Sequence, residues 1–250
     1  MILKAVLFDL DGVLTDTAEY HYLAWKKLAE AEGLPFSREA NEKLRGVSRR
    51  ESLQLILAGR DVDEAAQLAM MARKNGYYQE MLAQISPQDL LPGVVRLLDE
   101  LDAAGIPYGL ASASRNAATV VAQLGIAHRL AVVADGHSVA RPKRAPDLFR
   151  YGAAMLNVPP AHCLVVEDAA AGIAAAVSAG MPALAVGPAE RFDTLLHQHN
   201  RVQRRDSLAN VSLADLAQIL QPDETWLVSQ PDFDPAQQHH METVFTLGSG

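Results

Sequence analysis

Five short apolar runs, at residues 2–8, 108–111, 130–134, 164–166 and 183–186, constrain this chain more than any other feature. Each run is continuous instead of alternating, the pattern of a strand buried on both faces. Helix-length patterns separate them at about 93–104, 116–124, 146–156 and 170–179, with Gly105, Gly125 and Gly180 standing where C-caps are expected. Strand alternating with helix predicts an α/β fold built on a doubly wound parallel sheet. Ligands bind beyond the carboxyl ends of the strands in such sheets, so the chemistry should lie there.

One stretch breaks the alternation. Residues 17–91 hold no convincing buried strand. Ala18, His21, Tyr22, Trp25, Leu28 and Ala29 share one helix face, and residues 53–57 and 65–81 continue in kind. The expectation is a Rossmann-like core domain of residues 1–16 and 92–222, interrupted by a helical cap domain of residues 17–91. The joints near Thr17 and residues 87–92 read as hinges. Ser212 is the expected N-cap of a last amphipathic helix over 212–220, and residues 223–250 stand apart as a tail.

A chain of 250 residues can support both lobes. Its net charge of −8 argues against nucleic acid as a partner, since a polyanion needs a concentrated basic face; a small anionic ligand needs only a few local cations. Cys163 is the only cysteine, so no intramolecular disulfide can form and a reduced, cytoplasmic setting is expected. The first apolar run meets Asp9 and Asp11 before a signal-peptide core could be completed. No run approaches the roughly 18 apolar residues of a membrane span, so no membrane association is expected.

The strongest chemical signal is Asp9-Leu10-Asp11-Gly12, two carboxylates two residues apart at the tip of the first run. There they can hold a hard cation and face a substrate, with Gly12 permitting a sharp turn. An Asp-rich turn has the same appearance. A second pair, Glu167-Asp168, ends the run at 164–166, and in a parallel sheet both pairs converge on one rim. Four clustered carboxylates repel unless a divalent cation joins them, and an all-oxygen set indicates Mg²⁺. Ser112 and Ser114 follow the run at 108–111 and open a helix, a setting equally suited to anion binding and to a plain N-cap by Ser114 or Asn116. Lys143 precedes the helix beginning near Pro146, where it serves as a phosphate clamp or a solvated charge.

These four elements, in this order, resemble the signature motifs of the haloacid dehalogenase superfamily over residues 1 to about 190. That resemblance implies that Asp9 is a nucleophile forming an aspartyl phosphate and that Asp11 is the general acid/base. Ser112 and Lys143 would contact the transferring phosphate. Asp9, the backbone carbonyl of Asp11, Glu167 and Asp168 would bind Mg²⁺. Superfamily members with an aspartate at Asp11 are phosphotransferases, which disfavours dehalogenation.

The insertion narrows the substrate class. Residues 15–21, Trp25, the segment 45–49, Lys74-Asn75 and residues 111–116 are similar to the β-phosphoglucomutase family, and Ala145-Pro146-Asp147 extends the likeness. The resemblance implies a hexose phosphate substrate, glucose 1,6-bisphosphate as intermediate, and a distal phosphate held by Arg49 with Ser114 and Asn116. His21 and Lys74 would orient the sugar and the acid/base, and Thr17, Trp25, Gly46, Val47, Ser48, Ser52, Ala113 and Arg115 complete the expected binding set. Arg45 and Arg115 stand where the family pattern has lysine, and Arg144 replaces a proline. A generic sugar-phosphate phosphatase and a non-catalytic relative are the competing readings. The tail over 226–250 resembles the opening of family 65 glycoside phosphorylases, so fusion to, or coupling with, such an enzyme is expected, on an otherwise monomeric protein.

Overall fold

A computed structural model describes residues 2–44, 47–141, 143–192, 196 and 201–221 of the chain. Strand β1 (Ala5–Phe8) is central in a fully parallel six-stranded sheet with β2 (Tyr108–Ala111), β3 (Val132–Ala134), β4 (Cys163–Glu167), β5 (Ala183–Val186) and β6 (Val202–Arg205), ordered β3-β2-β1-β4-β5-β6. Phe8 pairs with Leu110 on one side and Val166 on the other, so the tips of β1, β2 and β4 are level. The order reverses beside β1, which places a crevice at the ends of these strands.

Period-two geometry divides the apolar runs between two faces. Val6, Phe8, Leu110, Leu164, Val166 and Leu184 join one buried cluster. It is covered by α5 (Val94–Ala103), α6 (Ala117–Gln123) and α9 (Leu213–Ile219). Ala5, Leu7, Ala111, Val165, Ala183 and Ala185 face the other way, under α7 (Asp147–Met155) and α8 (Ala170–Ser178). Each fully buried Leu, Val or Phe contributes about 1.5–3 kcal/mol, which explains why such short strands hold their register. Ser212 caps α9 as expected: its Oγ accepts from the Asp215 N–H while the Asp215 carboxylate accepts from Ser212.

Strand β6 corrects the sequence expectation of five strands. Its Val-Gln-Arg-Arg carries a single apolar residue because it lies at the sheet edge, where arginines also discourage pairing with another chain.

Between β1 and α5 the chain runs through α1 (Ala18–Ala31), α2 (Arg38–Glu42), α3 (Arg49–Leu57) and α4 (Glu64–Leu82). Helices α1 and α3 both pack on α4, around Trp25, Leu28, Leu53, Ile56, Leu57 and Met70. The two connections to the sheet run side by side: Leu91 N–H donates to the Leu14 carbonyl at 2.9 Å and Thr15 Oγ1 to the Asp89 carbonyl at 2.8 Å. Among the described residues, no helix is long and apolar enough to cross a membrane. Residues Met1–Leu220 form one compact unit, and the tail expected over 223–250 lies outside the described residues.

Candidate active site

At the strand tips, three carboxylates meet one lysine. Asp9 follows β1, with its N–H donating to the Val166 carbonyl at 2.9 Å, and Glu167 closes the adjacent β4. Lys143, 3 % exposed, donates to Asp9 Oδ1 and to Glu167 Oε1, the latter at 2.8 Å. Burial alone would lower the lysine's pKa, but the Asp9 and Glu167 charges outweigh it and raise the pKa above the ordinary value. Burial, and then the Asp9 charge, push Glu167 up.

Oxygens of Asp9, Glu167 and Asp168 lie within 4.8 Å of one another, a donor set that fits Mg²⁺. The surrounding backbone is shaped around these groups. A Cβ at Gly12, whose φ is +79°, would lie 2.3 Å from Asp168 Oδ2, and one at Gly172 would lie 1.6 Å from Glu167 Oε1. Only glycine fits at either position. Arg191 adds a contact with no signal in the sequence, donating to the Asp168 carbonyl at 3.1 Å.

Asp11 points elsewhere. Its side chain is not in the three-carboxylate group; it accepts from Thr17 Oγ1, whose oxygen is 3.0 Å from Tyr78 OH. Burial, then Asp9, lift Asp11 to about 6, against the lowering effect of the Thr17 hydrogen bond. His21 Nε2 is 3.9 Å from Asp11 Oδ2, and His21 Nδ1 is 2.8 Å from Lys74 Nζ. The His21 ring stacks on Tyr78 at 4.1 Å. Burial first, then Lys74 and Arg49, hold His21 well below its usual pKa; burial, then Arg49, does the same for Lys74. Tyr78 was missed in the sequence, though its place four residues after Lys74 puts it on the same helix face.

The far end of the cleft is basic. Arg49 opens α3, whose N-cap Ser48 accepts from the Glu51 N–H at 3.2 Å. Arg49 donates to Asn75 Oδ1 at 2.7 Å, and burial, then the nearby Arg115 charge, lower its pKa. Ser112 and Ser114 each accept from a backbone N–H two residues on, at 3.1 and 3.2 Å, which leaves both hydroxyl hydrogens free to donate.

Both ends open into one cavity of about 590 Å³. Of the sequence-expected site residues, Asp9, Asp11, His21, Trp25, Val47, Ser48, Arg49, Ser52, Lys74, Ser112, Ala113, Ser114, Arg115, Lys143 and Asp168 line it. Thr17, Asn116 and Glu167 are buried side chains bonded to groups in or beside the wall. Trp25 lines the cavity while packing into the insertion's apolar cluster. Gly46 and Arg45 lie outside the described residues. Arg144 adopts φ +90°, which a proline, fixed near −65°, could not, so the loop carrying Lys143 takes a path closed to the proline of the family pattern.

Residues 3–180 match the haloacid dehalogenase-like hydrolase family. The chain is 49% identical over 189 residues to a β-phosphoglucomutase of Bacillus subtilis, covering 74% of this chain and 84% of that one. It is 31% identical over 207 residues to hexitol phosphatase A of Escherichia coli, covering 80% and 93%. A solved β-phosphoglucomutase structure from Clostridium difficile superposes with a TM-score of 0.82 at 37% identity, covering 91% of this chain and 100% of that one. A carboxylate-tipped parallel sheet and a family match over most of its length lead to one conclusion: this chain belongs to the haloacid dehalogenase-like hydrolase family.

Proposed function

We propose that this chain interconverts β-D-glucose 1-phosphate and glucose 6-phosphate through an aspartyl phosphate on Asp9 and bound glucose 1,6-bisphosphate. One observation carries the reading. A single cleft holds two separate ends suited to phosphate, the Asp9–Lys143 rim and the Arg49–Arg115 end. A phosphatase acting on a monophosphate needs only the first.

In this proposal an Asp9 oxygen attacks phosphorus of the bisphosphate, forming the aspartyl phosphate as the bond to the sugar oxygen breaks. Asp11 gives its proton to that leaving oxygen. Asp11 then takes the proton of the C6 hydroxyl of an incoming β-glucose 1-phosphate as that oxygen attacks the phosphoaspartate, freeing Asp9 and forming glucose 1,6-bisphosphate. The bisphosphate binds again in the opposite orientation, gives up its C1 phosphoryl to Asp9 and leaves as glucose 6-phosphate. Thr17 holds Asp11 by a hydrogen bond, His21 beside it orients the sugar against the acid/base, and Lys143 and Ser112 hold the phosphoryl oxygens. Asp9, the Asp11 backbone carbonyl, Glu167 and Asp168 would hold Mg²⁺, which neutralises phosphoryl charge when bound. Residues 17–91 act as a cap domain over the core of 1–16 and 92–222, excluding water so that the phosphoaspartate survives until a sugar hydroxyl arrives.

The test is ³¹P NMR of the purified protein with Mg²⁺, β-glucose 1-phosphate and a trace of glucose 1,6-bisphosphate. Glucose 6-phosphate forming with little inorganic phosphate is expected. Inorganic phosphate alone would make this a phosphatase, the activity named for the Escherichia coli relative.

The proposal extends to a reduced, cytoplasmic setting and to supply of β-glucose 1-phosphate by a glycoside phosphorylase, the latter supported by the tail's resemblance. A phosphorylase reading frame continuing past Gly250 would support the coupling, and a stop codon there would overturn it.

A further inference from the structure

We propose that Asn75 is the positioning residue of the distal phosphate end: its amide carbonyl aims the Arg49 guanidinium at a second phosphate without cancelling the arginine's charge. This rests on the mutase reading, since only a bisphosphate places a phosphate there while another occupies the Asp9 rim.

Asn75 Oδ1 accepts two hydrogen bonds, from Arg49 at 2.7 Å and from Asn116 Nδ2 at 2.9 Å. Arginine can only donate, so the amide oxygen is the atom that must face it. The two donors come from opposite walls: Arg49 opens α3 of the insertion, and Asn116 immediately precedes α6 of the sheet domain. One carbonyl therefore holds both halves of the distal end in register. The orientation of Asn116 is further set by Gln79, whose Nε2 donates to Asn116 Oδ1 at 3.3 Å. The rotation of α4 is set in turn by Lys74 against His21 and by Tyr78 against Thr17.

The acceptor's neutrality is the telling feature. The adjacent Arg50 pairs with Glu64 at 2.9 Å, Arg38 with Glu19 at 2.7 Å, and Arg129 with Asp99 and Asp102. Among the described residues no carboxylate forms an ion pair with Arg49; its acceptor is an amide. A carboxylate would hold the guanidinium as firmly, but its charge would oppose the incoming phosphate. The amide leaves the positive charge of Arg49, reinforced by Arg115, free to act on the ligand.

The experiment is steady-state mutase kinetics with Mg²⁺ on wild type, Asn75→Ala, Asn75→Asp and Arg49→Ala. It records the glucose 1,6-bisphosphate concentration giving half-maximal rate, the inhibition constant of inorganic phosphate, and the melting temperature of each variant. Asn75→Ala should raise the half-maximal concentration roughly tenfold, more than it raises the inorganic phosphate constant. The isosteric Asn75→Asp should raise it at least as much, an order that a packing role would reverse. A wild-type value for Asn75→Asp, or no change in either Asn75 variant while Arg49→Ala weakens bisphosphate, would overturn this proposal alone. A wild-type enzyme indifferent to bisphosphate would instead overturn the mutase reading, and this proposal with it.

Discussion

The two ends of the cleft solve opposite electrostatic problems with different kinds of scaffold. At the sheet rim, Asp9, Glu167 and Asp168 gather negative charge at or just beyond the ends of buried parallel strands, and Lys143 joins them at almost complete burial. At the far end, Arg49 and Arg115 gather positive charge, one on a helix of the insertion and the other on a half-turn before α6. The rim inherits its precision from strand register, since β1 and β4 cannot slip without moving every core side chain to the wrong face. The distal end has no such frame. It depends on helix packing and on an amide that spans the gap, which suits the proposed opening of the cap to admit a sugar and its closing to exclude water.

The most severe way to break this contrast is to remove the proposed nucleophile. Asp9→Asn should lower turnover by roughly 10³-fold or more and abolish acid-stable phosphoenzyme labelling, because it replaces the carboxylate proposed to accept the phosphoryl with a poorly nucleophilic amide. Near-normal turnover in a ³¹P NMR time course would show that the rim is not the reacting end.

Removing Lys143 tests whether the rim is a preorganised charge cluster. Lys143→Ala leaves the buried Asp9 and Glu167 carboxylates without their cation, and the metal-free protein should lose about 3 kcal/mol of stability. Denaturant unfolding with EDTA and with excess Mg²⁺ provides the check. The deficit should shrink when Mg²⁺ is added, because the wild-type lysine competes with the cation for the carboxylates and the variant binds it more tightly; a tenfold tighter Kd recovers about 1.4 kcal/mol at saturation. No stabilisation of either protein by Mg²⁺ would argue against a metal at these carboxylates, and an equal deficit with and without it would show that the lysine does not compete for the site.

A smaller effect is expected at the distal end. Arg49→Lys keeps the charge but loses the planar fork, so the bisphosphate concentration for half-maximal rate should rise about tenfold with kcat changed less. A larger loss in kcat than in half-maximal concentration would place Arg49 in the chemistry instead. Smallest of all, Ala58 ends α3 in the left-handed region at φ 49°, where glycine carries no Cβ penalty. Ala58→Gly should stabilise the fold by up to ~1 kcal/mol in thermal unfolding and leave the kinetics of both ends unchanged. If it altered bisphosphate affinity, the distal end would be coupled to helix stability more tightly than the amide bridge implies.

Much of the rim was legible before any coordinates. Continuous apolar runs mark strands buried on both faces, and acidic pairs at their ends can only sit where the strands stop, so Asp9 and Glu167 were bound to become neighbours once β1 and β4 paired. Edge strand β6 was not legible, because a strand that buries one residue and half-buries its glutamine and two arginines carries no apolar run. The insertion's helical nature was readable from its periodicity, and Arg49, Lys74 and His21 were singled out by family resemblance. The contacts around them were not: Tyr78 behind Asp11 and Arg191 beside Asp168 were missed, and Asn75, though part of the matched Lys74-Asn75 pair, gave no sign of bridging Arg49 and Asn116, because these contacts join segments tens of residues apart.

The sequence by itself determined the alternation of strand and helix, the acidic strand tips and the helical character of residues 17–91, because these follow from local periodicity and from where polar groups can be tolerated. Only the tertiary structure decided which carboxylates face the metal position and which faces Thr17, that Lys143 bridges Asp9 and Glu167, and that one amide joins the two walls of the distal end. The reason is physical: register and periodicity act over a few residues, whereas hydrogen bonds across a cleft depend on the packing angle of helices that no local pattern encodes.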